Sequence, residues 1–296
     1  MKTCVAIPGA GLGDCIMALP AIRHLAKLYD VTVVSDWPDL FEMTPYKNIP
    51  LGMKRWTYPH ALRWLVTDRR RILKEIGDPY LAVRFVPGLF RHILTYNASY
   101  QLYDGLGYGY LGRRFLDLVG GSEMEYGLRI ETNEEREFVV YPYSSSPYRA
   151  WPRAAWQHVI HHLPGKVTVV GQTSVPMRYG DGVEDLTNMQ SLRRLAETVK
   201  SAKVFVCTNS GPMHLAIATG VPTVALFGVI SPEFNVPEGA NVTRMYRRDE
   251  RSSVPYHVPH MYPYRGRIEE IKPQEVIRAC DAMLKNQVGT DDWYEK

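Results

Sequence analysis

The sequence predicts an α/β protein made of two domains, each with a parallel sheet. Short apolar runs alternate with helix-period segments along most of the 296 residues, the pattern left by strand–helix–strand crossover units. A polar, charge-rich stretch within 120–137 interrupts the alternation, after which it restarts. In both halves a turn suited to holding an anion follows directly on an apolar run, as open parallel sheets require of a ligand site.

The elements follow in order. Val5–Pro8 reads as a strand, Asp14–Leu28 as a helix and Val31–Ser35 as the next strand. Tyr58–Ile76 has helical periodicity, Leu81–Val86 reads as a strand and Gly112–Val119 as a helix. The boundary is placed between an N-terminal domain, 1–135, and a C-terminal domain, 136–296. Beyond it, Glu137–Tyr141, Val167–Gly171, Val204–Cys207 and Thr223–Phe227 read as strands. Arg153–His162, Leu192–Ser201 and Met213–Thr219 read as helices. A last amphipathic helix is expected over Glu269–Lys285, with Ile271, Val276, Ile277, Cys280 and Leu284 on one face. Two such α/β units leave an expected cleft between them.

Composition narrows the class. With 45% apolar and 22% charged residues the chain can bury a core in each half. Its four cysteines, Cys4, Cys15, Cys207 and Cys280, have neither the density of a disulfide framework nor the close pairs of a zinc site. Buried thiols in a reducing compartment are the expectation. The N-terminus opens on a strand rather than a signal segment, and no apolar run approaches the roughly 18 residues that span a bilayer, so a cytoplasmic protein is expected. Net charge is only +4. Two basic clusters, Arg63, Arg69, Arg70, Arg71 and Lys74, then Arg244, Arg247, Arg248 and Arg251, are interrupted by acids and suit solvated faces as well as polyanions.

Three motifs carry chemistry. Pro8-Gly9-Ala10-Gly11-Leu12-Gly13-Asp14 turns the first strand into a helix. Its glycines allow close backbone approach, and the helix N-terminus favours an anion or an acidic side chain. A dinucleotide fingerprint would find its ribose-binding acid in Asp36, but its third glycine position is Asp14, a negative charge where pyrophosphate belongs. Asp14 suits either a first-turn helix stabiliser or a general base. The second motif, Thr208-Asn209-Ser210-Gly211-Pro212-Met213-His214-Leu215-Ala216, offers capping side chains, a proline in the first turn and free amides for a diphosphate. A capped, buried helix with a core histidine accounts for it equally. The third, Tyr141-Pro142-Tyr143-Ser144-Ser145-Ser146 with Arg149, Trp151 and Pro152, combines hydroxyls and a guanidinium suited to phosphate with what reads otherwise as an ordinary turn.

In this order the motifs resemble the family-9 glycosyltransferases, the heptosyltransferase-like proteins. The resemblance runs through Gly13-Asp14 to Ala18-Leu19-Pro20, Arg149 to Pro152, Asp185-Leu186-Thr187 with Leu192 to Ala202, and Ser210 through Ala216 to Gly228. It implies a GT-B fold of two facing Rossmann-like domains, the acceptor on the first and the sugar nucleotide on the second. It implies inversion at the anomeric carbon with no metal and no cofactor beyond the nucleotide-sugar donor. By position Asp14 becomes the base, beside Gly11 and Gly13. Ser144, Ser145 and Arg149 join Thr208, Asn209, Ser210, Gly211, Pro212, Met213 and His214 around the donor. Asn209 stands where the family commonly has aspartate, which puts the identity of the donor in doubt. Trp37 to Glu137 matches nothing assignable. The expected acceptor is a bacterial envelope glycan, sometimes membrane-associated. Hydroxymethylated DNA bases, with Trp56, Tyr58 and Trp64 near the first basic cluster, are one alternative, and a non-catalytic sugar-nucleotide binder is another. No obligate protein partner is expected.

Overall fold

Strands form where β-branched and apolar residues run together, and parallel pairing sets them side by side. The computed structural model describes residues 1–8, 11–50, 74–75, 81–84, 99–102, 110–144, 146–228, 230–247, 267–285 and 293–294. The chain divides into two units, Met1–Arg129 and Ile130–Lys296, against the 135/136 boundary expected from sequence.

The first unit contains β1 (Thr3–Ile7), α1 (Leu12–Leu28), β2 (Asp30–Ser35), α2 (Pro38–Phe41), β3 (Lys47–Pro50), β4 (Leu81–Arg84), β5 (Ser99–Leu102) and α3 (Leu111–Leu118). Its sheet has the order β3-β2-β1-β4-β5, paired in parallel. The chain winds outward from β1 on one side and resumes at β4 on the other. The switch point therefore lies between β1 and β4, where open α/β sheets bind ligands. α1 is apolar nearly all round, with Leu12, Cys15, Ile16, Leu19 and Ile22 among its buried residues. α3 packs against it closely because position 112 has no side chain: a Cβ there would lie 2.9 Å from the Met17 carbonyl. The expected helix Tyr58–Ile76 falls outside the described residues except for its helical Lys74 and Glu75.

The second unit contains β6 (Arg136–Tyr141), α4 (Arg153–His162), β7 (Val167–Gly171), β8 (Val183–Thr187), α5 (Leu192–Lys200), β9 (Ala202–Thr208), α6 (Gly211–Thr219), β10 (Thr223–Phe227), β11 (Val242–Tyr246), α7 (Pro273–Leu284) and β12 (Trp293–Tyr294). The sheet order is β12-β11-β10-β9-β6-β7-β8, and its pairs are parallel. Its first six strands follow the dinucleotide-fold order, with the switch between β6 and β9. Phe138, Val140, Trp156, Val204, Val206 and Val276 belong to one buried core under α4 and α7.

Two sequence expectations change here. The helix expected over Glu269–Lys285 is a single 3-10 turn, Ile268–Glu270, followed by α7 from Pro273. Proline has no N–H to give and is suited to a first helical position. β8 was not anticipated, because its Glu184 and Asp185 are exposed at the edge of the sheet and break the apolar signature of a strand.

Residues 172–182 join β7 to β8 with no helix, where parallel crossovers usually have one. α4 holds this segment along one face. Arg153 donates to the carbonyls of Val175 and Pro176, both at 2.9 Å, and Gln157 to that of Arg178 at 3.3 Å. His161 Nε2 accepts from Gly180 N–H at 3.3 Å.

Candidate functional site

Each unit presents a strand-to-helix turn at its switch point. In the first, α1 begins at Leu12, so Asp14 occupies its third position. Asp14 Oδ2 accepts the Gly11 N–H at 3.0 Å, which fixes the carboxylate over the helix start as half of a capping box. Gly11 makes room for it, since a Cβ there would meet Asp14 Oδ2 at 3.0 Å. Gly13 is half-buried beside it. Burial raises the Cys15 thiol well above its ordinary range, and Asp14 and Asp36 add to the rise. Both carboxylates thus act on one thiol, Asp14 from the first turn of α1 and Asp36 from just past β2.

In the second unit β6 and β9 run side by side, with Tyr141 level with Cys207. Past these strand ends lie the two remaining motifs. Ser210 adopts extended backbone ahead of α6, but its side chain makes no cap hydrogen bond. Of the two residues expected to cap, Ser210 or Asn209, Ser210 does not: its hydroxyl has no hydrogen-bond partner among the described residues. Thr208 Oγ1, Asn209 Nδ2 and His214 Nδ1 are also buried without one. Thr208, Asn209 and His214 are 0%, 2% and 3% exposed. Buried polar groups almost always find partners, and each one left alone costs roughly 1–3 kcal/mol. Four within seven residues, at the start of α6, describe a seat awaiting hydrogen-bonding atoms. Pro212, Met213 and Ala216 are buried and contribute shape, and Gly220 closes the helix in the left-handed region at φ 72°.

Arg149 supplies the charge. It ends a 3-10 turn, Pro147–Arg149, and its Nη1 donates to the Asn209 carbonyl at 3.1 Å. That turn is anchored by Trp151, whose indole N–H donates to the Ile271 carbonyl at 3.2 Å and whose ring stands edge-on to Trp156. Burial, then the Arg149 guanidinium, pushes His214 down to about 3, so its imidazole is neutral at physiological pH. Ser144 closes its own small turn, donating to the Ser146 carbonyl at 3.0 Å and accepting the Ser146 N–H at 3.2 Å. Ser145 lies outside the described residues. Sequence reasoning placed Tyr141 in a motif without a role of its own, and the signal available was an aromatic residue ending a strand at a switch point.

Other expectations resolve simply. All four cysteines are free and buried. In the second basic cluster, Arg247 forms a 2.7 Å ion pair with Glu275 and Arg244 donates to the Pro237 carbonyl, so both serve the unit internally. Arg63, Arg69, Arg70, Arg71, Arg248 and Arg251, with Trp56, Tyr58 and Trp64, lie outside the described residues. Among the described residues no helix is long and apolar enough to cross a membrane, and no group of three or more His, Cys, Asp or Glu residues is placed to hold a metal.

Comparison with known proteins bears on the same stretch. The family model for glycosyltransferase family 9 (heptosyltransferase) matches residues 122–255. Residues 122–255 are thus similar to the family-9 glycosyltransferases. Lipooligosaccharide heptosyltransferase 2 of Campylobacter jejuni is 25% identical over 104 residues, 35% of this chain and 33% of that protein. The match thus spans about a third of the curated relative. The family-9 glycosyltransferase of Veillonella parvula superimposes with a TM-score of 0.73 at 19% identity, covering 96% of this chain and 98% of that one. The ADP-heptose lipopolysaccharide heptosyltransferase II of E. coli gives 0.68 at 15% identity, with 97% and 99% covered. The iron-containing dodecameric glycosyltransferase TibC of enterotoxigenic E. coli gives 0.65 at 18% identity, with 97% and 77% covered. At such identities the structural likeness concerns the fold, which is of the GT-B heptosyltransferase type in both units. Glycosyltransferase is the enzyme class these matches support.

Proposed function

We propose that the chain transfers a sugar from a nucleoside-diphosphate donor to an acceptor hydroxyl, with inversion and without a metal. The observation that carries the reading is the group of four unpartnered polar atoms over Thr208–His214 beside Arg149. A diphosphate is rich in acceptor oxygens and carries the charge that Arg149 and the start of α6 complement. As the bond from the anomeric carbon to the diphosphate breaks, negative charge grows on the leaving oxygen. Fixed donors aimed there stabilise it with no reorganisation, the part a metal plays in other transferases. Neutral His214 contributes a hydrogen bond rather than charge. Asp14, held by Gly11, takes the proton of the attacking hydroxyl.

The C. jejuni relative is a lipooligosaccharide heptosyltransferase, which favours an envelope glycan as acceptor, met in the cytoplasm or at its membrane face. A thermal-shift panel of ADP, UDP, GDP and CDP with their common sugar conjugates, and NAD as control, tests the donor assignment. A ligand at 100 times its dissociation constant should stabilise the fold by about 2.7 kcal/mol. A shift with one diphosphate and none with NAD is expected. Stabilisation by NAD alone overturns the reading. A duplex-DNA acceptor would instead show affinity falling steeply with salt.

A further inference from the structure

The tyrosine that ends β6 has a place at the switch point and no part in the chemistry above. Tyr141 lies level with Cys207 on β9, two positions ahead of Asn209, and its half-buried ring stands edge-on to Tyr143, with centroids 6.4 Å apart at 85°. The end of β7 is shaped around this pair. Gly171 sits at φ 138°, and a Cβ there would come within 2.6 Å of Tyr143 Cδ2 and 3.1 Å of Tyr141 Cε2. The two rings occupy the space that any side chain at 171 would need.

The hydroxyls of the two tyrosines differ in kind. Tyr143 is committed inside the unit: its hydroxyl meets that of Tyr179 at 2.9 Å and that of Thr187 at 3.4 Å, and accepts the Met177 N–H at 3.4 Å. The Tyr141 hydroxyl makes no hydrogen bond among the described residues. It shares its surroundings with Arg149, whose guanidinium acts on both Tyr141 and His214. Burial raises the Tyr141 phenol above its ordinary range, so at neutral pH it is a hydrogen-bond donor. A donor beside an arginine, next to a helix start with unpartnered side-chain atoms, is complemented by a group that only accepts.

We propose that Tyr141 is a further donor-contacting residue, its hydroxyl donating a hydrogen bond to a phosphate oxygen of the nucleoside diphosphate held by Arg149 and the start of α6. This rests on the donor-site reading above and adds a contact that belongs to β6 rather than to the β9–α6 turn. The alternative, that Tyr141 is only a packing partner for Tyr143, predicts that its hydroxyl is dispensable.

The test is calorimetric titration of ADP, UDP, GDP and CDP into the full chain and into Tyr141→Phe, Tyr143→Phe and Arg149→Ala. Tyr141→Phe should weaken the best-bound diphosphate about tenfold, the effect of one hydrogen bond to a charged group, with its melting transition unchanged. Tyr143→Phe should melt earlier and bind as the unaltered chain does. If Arg149→Ala weakens binding and Tyr141→Phe does not, the role of Tyr141 is overturned while the donor site stands. Equal weakening by both tyrosine variants also overturns it, because the loss then comes from a disturbed loop. If no diphosphate binds the unaltered chain, or Arg149→Ala binds as well as it does, the underlying donor site is overturned and Tyr141 with it.

Discussion

The turns at Gly11–Asp14 and Thr208–His214 each follow a strand that borders a switch point, in chain order the first strand of one sheet and the fourth of the other, and they carry opposite electrostatics. The first sets a carboxylate into the opening turn of its helix and satisfies it with a backbone N–H. The second has no acid at all, leaves four buried polar atoms unpartnered and draws in an arginine from the neighbouring strand's loop. A helix start attracts negative charge in either case. Where the sequence supplies that charge itself, the helix start already holds its anion. Where the sequence withholds it, the ligand must bring it. One strand-to-helix turn, used in both units, thus holds its own carboxylate in the first and leaves polar side chains unpartnered in the second.

Variants can break this contrast. The largest effect is expected for Asp14→Asn, which should lower turnover by about 10²–10⁴-fold, the usual contribution of a general base. Diphosphate affinity, measured by titration, should not change. A variant that loses affinity with turnover would mean that Asp14 belongs to the donor site and that the contrast is wrong. Arg149→Ala should weaken diphosphate binding by roughly 10–100-fold through loss of charge-assisted hydrogen bonds, with the folded chain intact by circular dichroism.

A third test uses pH. In the folded chain His214 is pushed down to about 3, whereas unfolded it titrates near 6.5. Between those values the unfolded state binds more protons, so stability contributed by the neutral imidazole is full above about 6.5 and is lost as pH falls towards 3. The slope approaches ~1.4 kcal/mol per pH unit for this one group. Denaturant titrations at pH 7, 6 and 5 should show it, and His214→Gln should flatten it. An unchanged slope in the variant would place the acid sensitivity elsewhere. The smallest effect is expected for Gly11→Ala, whose methyl group crowds Asp14 Oδ2. Turnover should drop a few-fold while diphosphate affinity holds, since small misplacements of a reacting group matter most to the chemical step.

Much of the architecture could be read from sequence because its signals are local. Val167–Gly171 and Thr223–Phe227 are apolar enough to be strands anywhere, and both strands have the bounds expected of them. β8 escaped because an edge strand exposes Glu184 and Asp185, and α7 began late because Pro273, not the preceding acids, sets its start. The glycine-rich and capping turns could be found, but their states could not. That Ser210 leaves its hydroxyl idle, or that Arg149 reaches Asn209 from 60 positions away, depends on which strands become neighbours, and sheet order is not written in any short stretch of sequence. Tyr141 and Tyr143 look alike in sequence, and the contacts of Tyr143 with Met177, Tyr179 and Thr187 set them apart.

That crossing segment has a consequence for how the protein tolerates change. Arg153, Gln157 and His161 stand one helical repeat apart and grip main-chain atoms, so what they recognise is common to almost every residue type. Substitutions at the exposed Ser174, Val175 and Arg178 leave the grip in place, whereas Met177 and Tyr179 belong to the core and one substitution on α4 removes a rung for the whole segment. Natural variation and library design should therefore find the outward positions of the crossing permissive, and its inward pair and the helix beneath it strict. New specificities could be built into those outward positions without renegotiating the core.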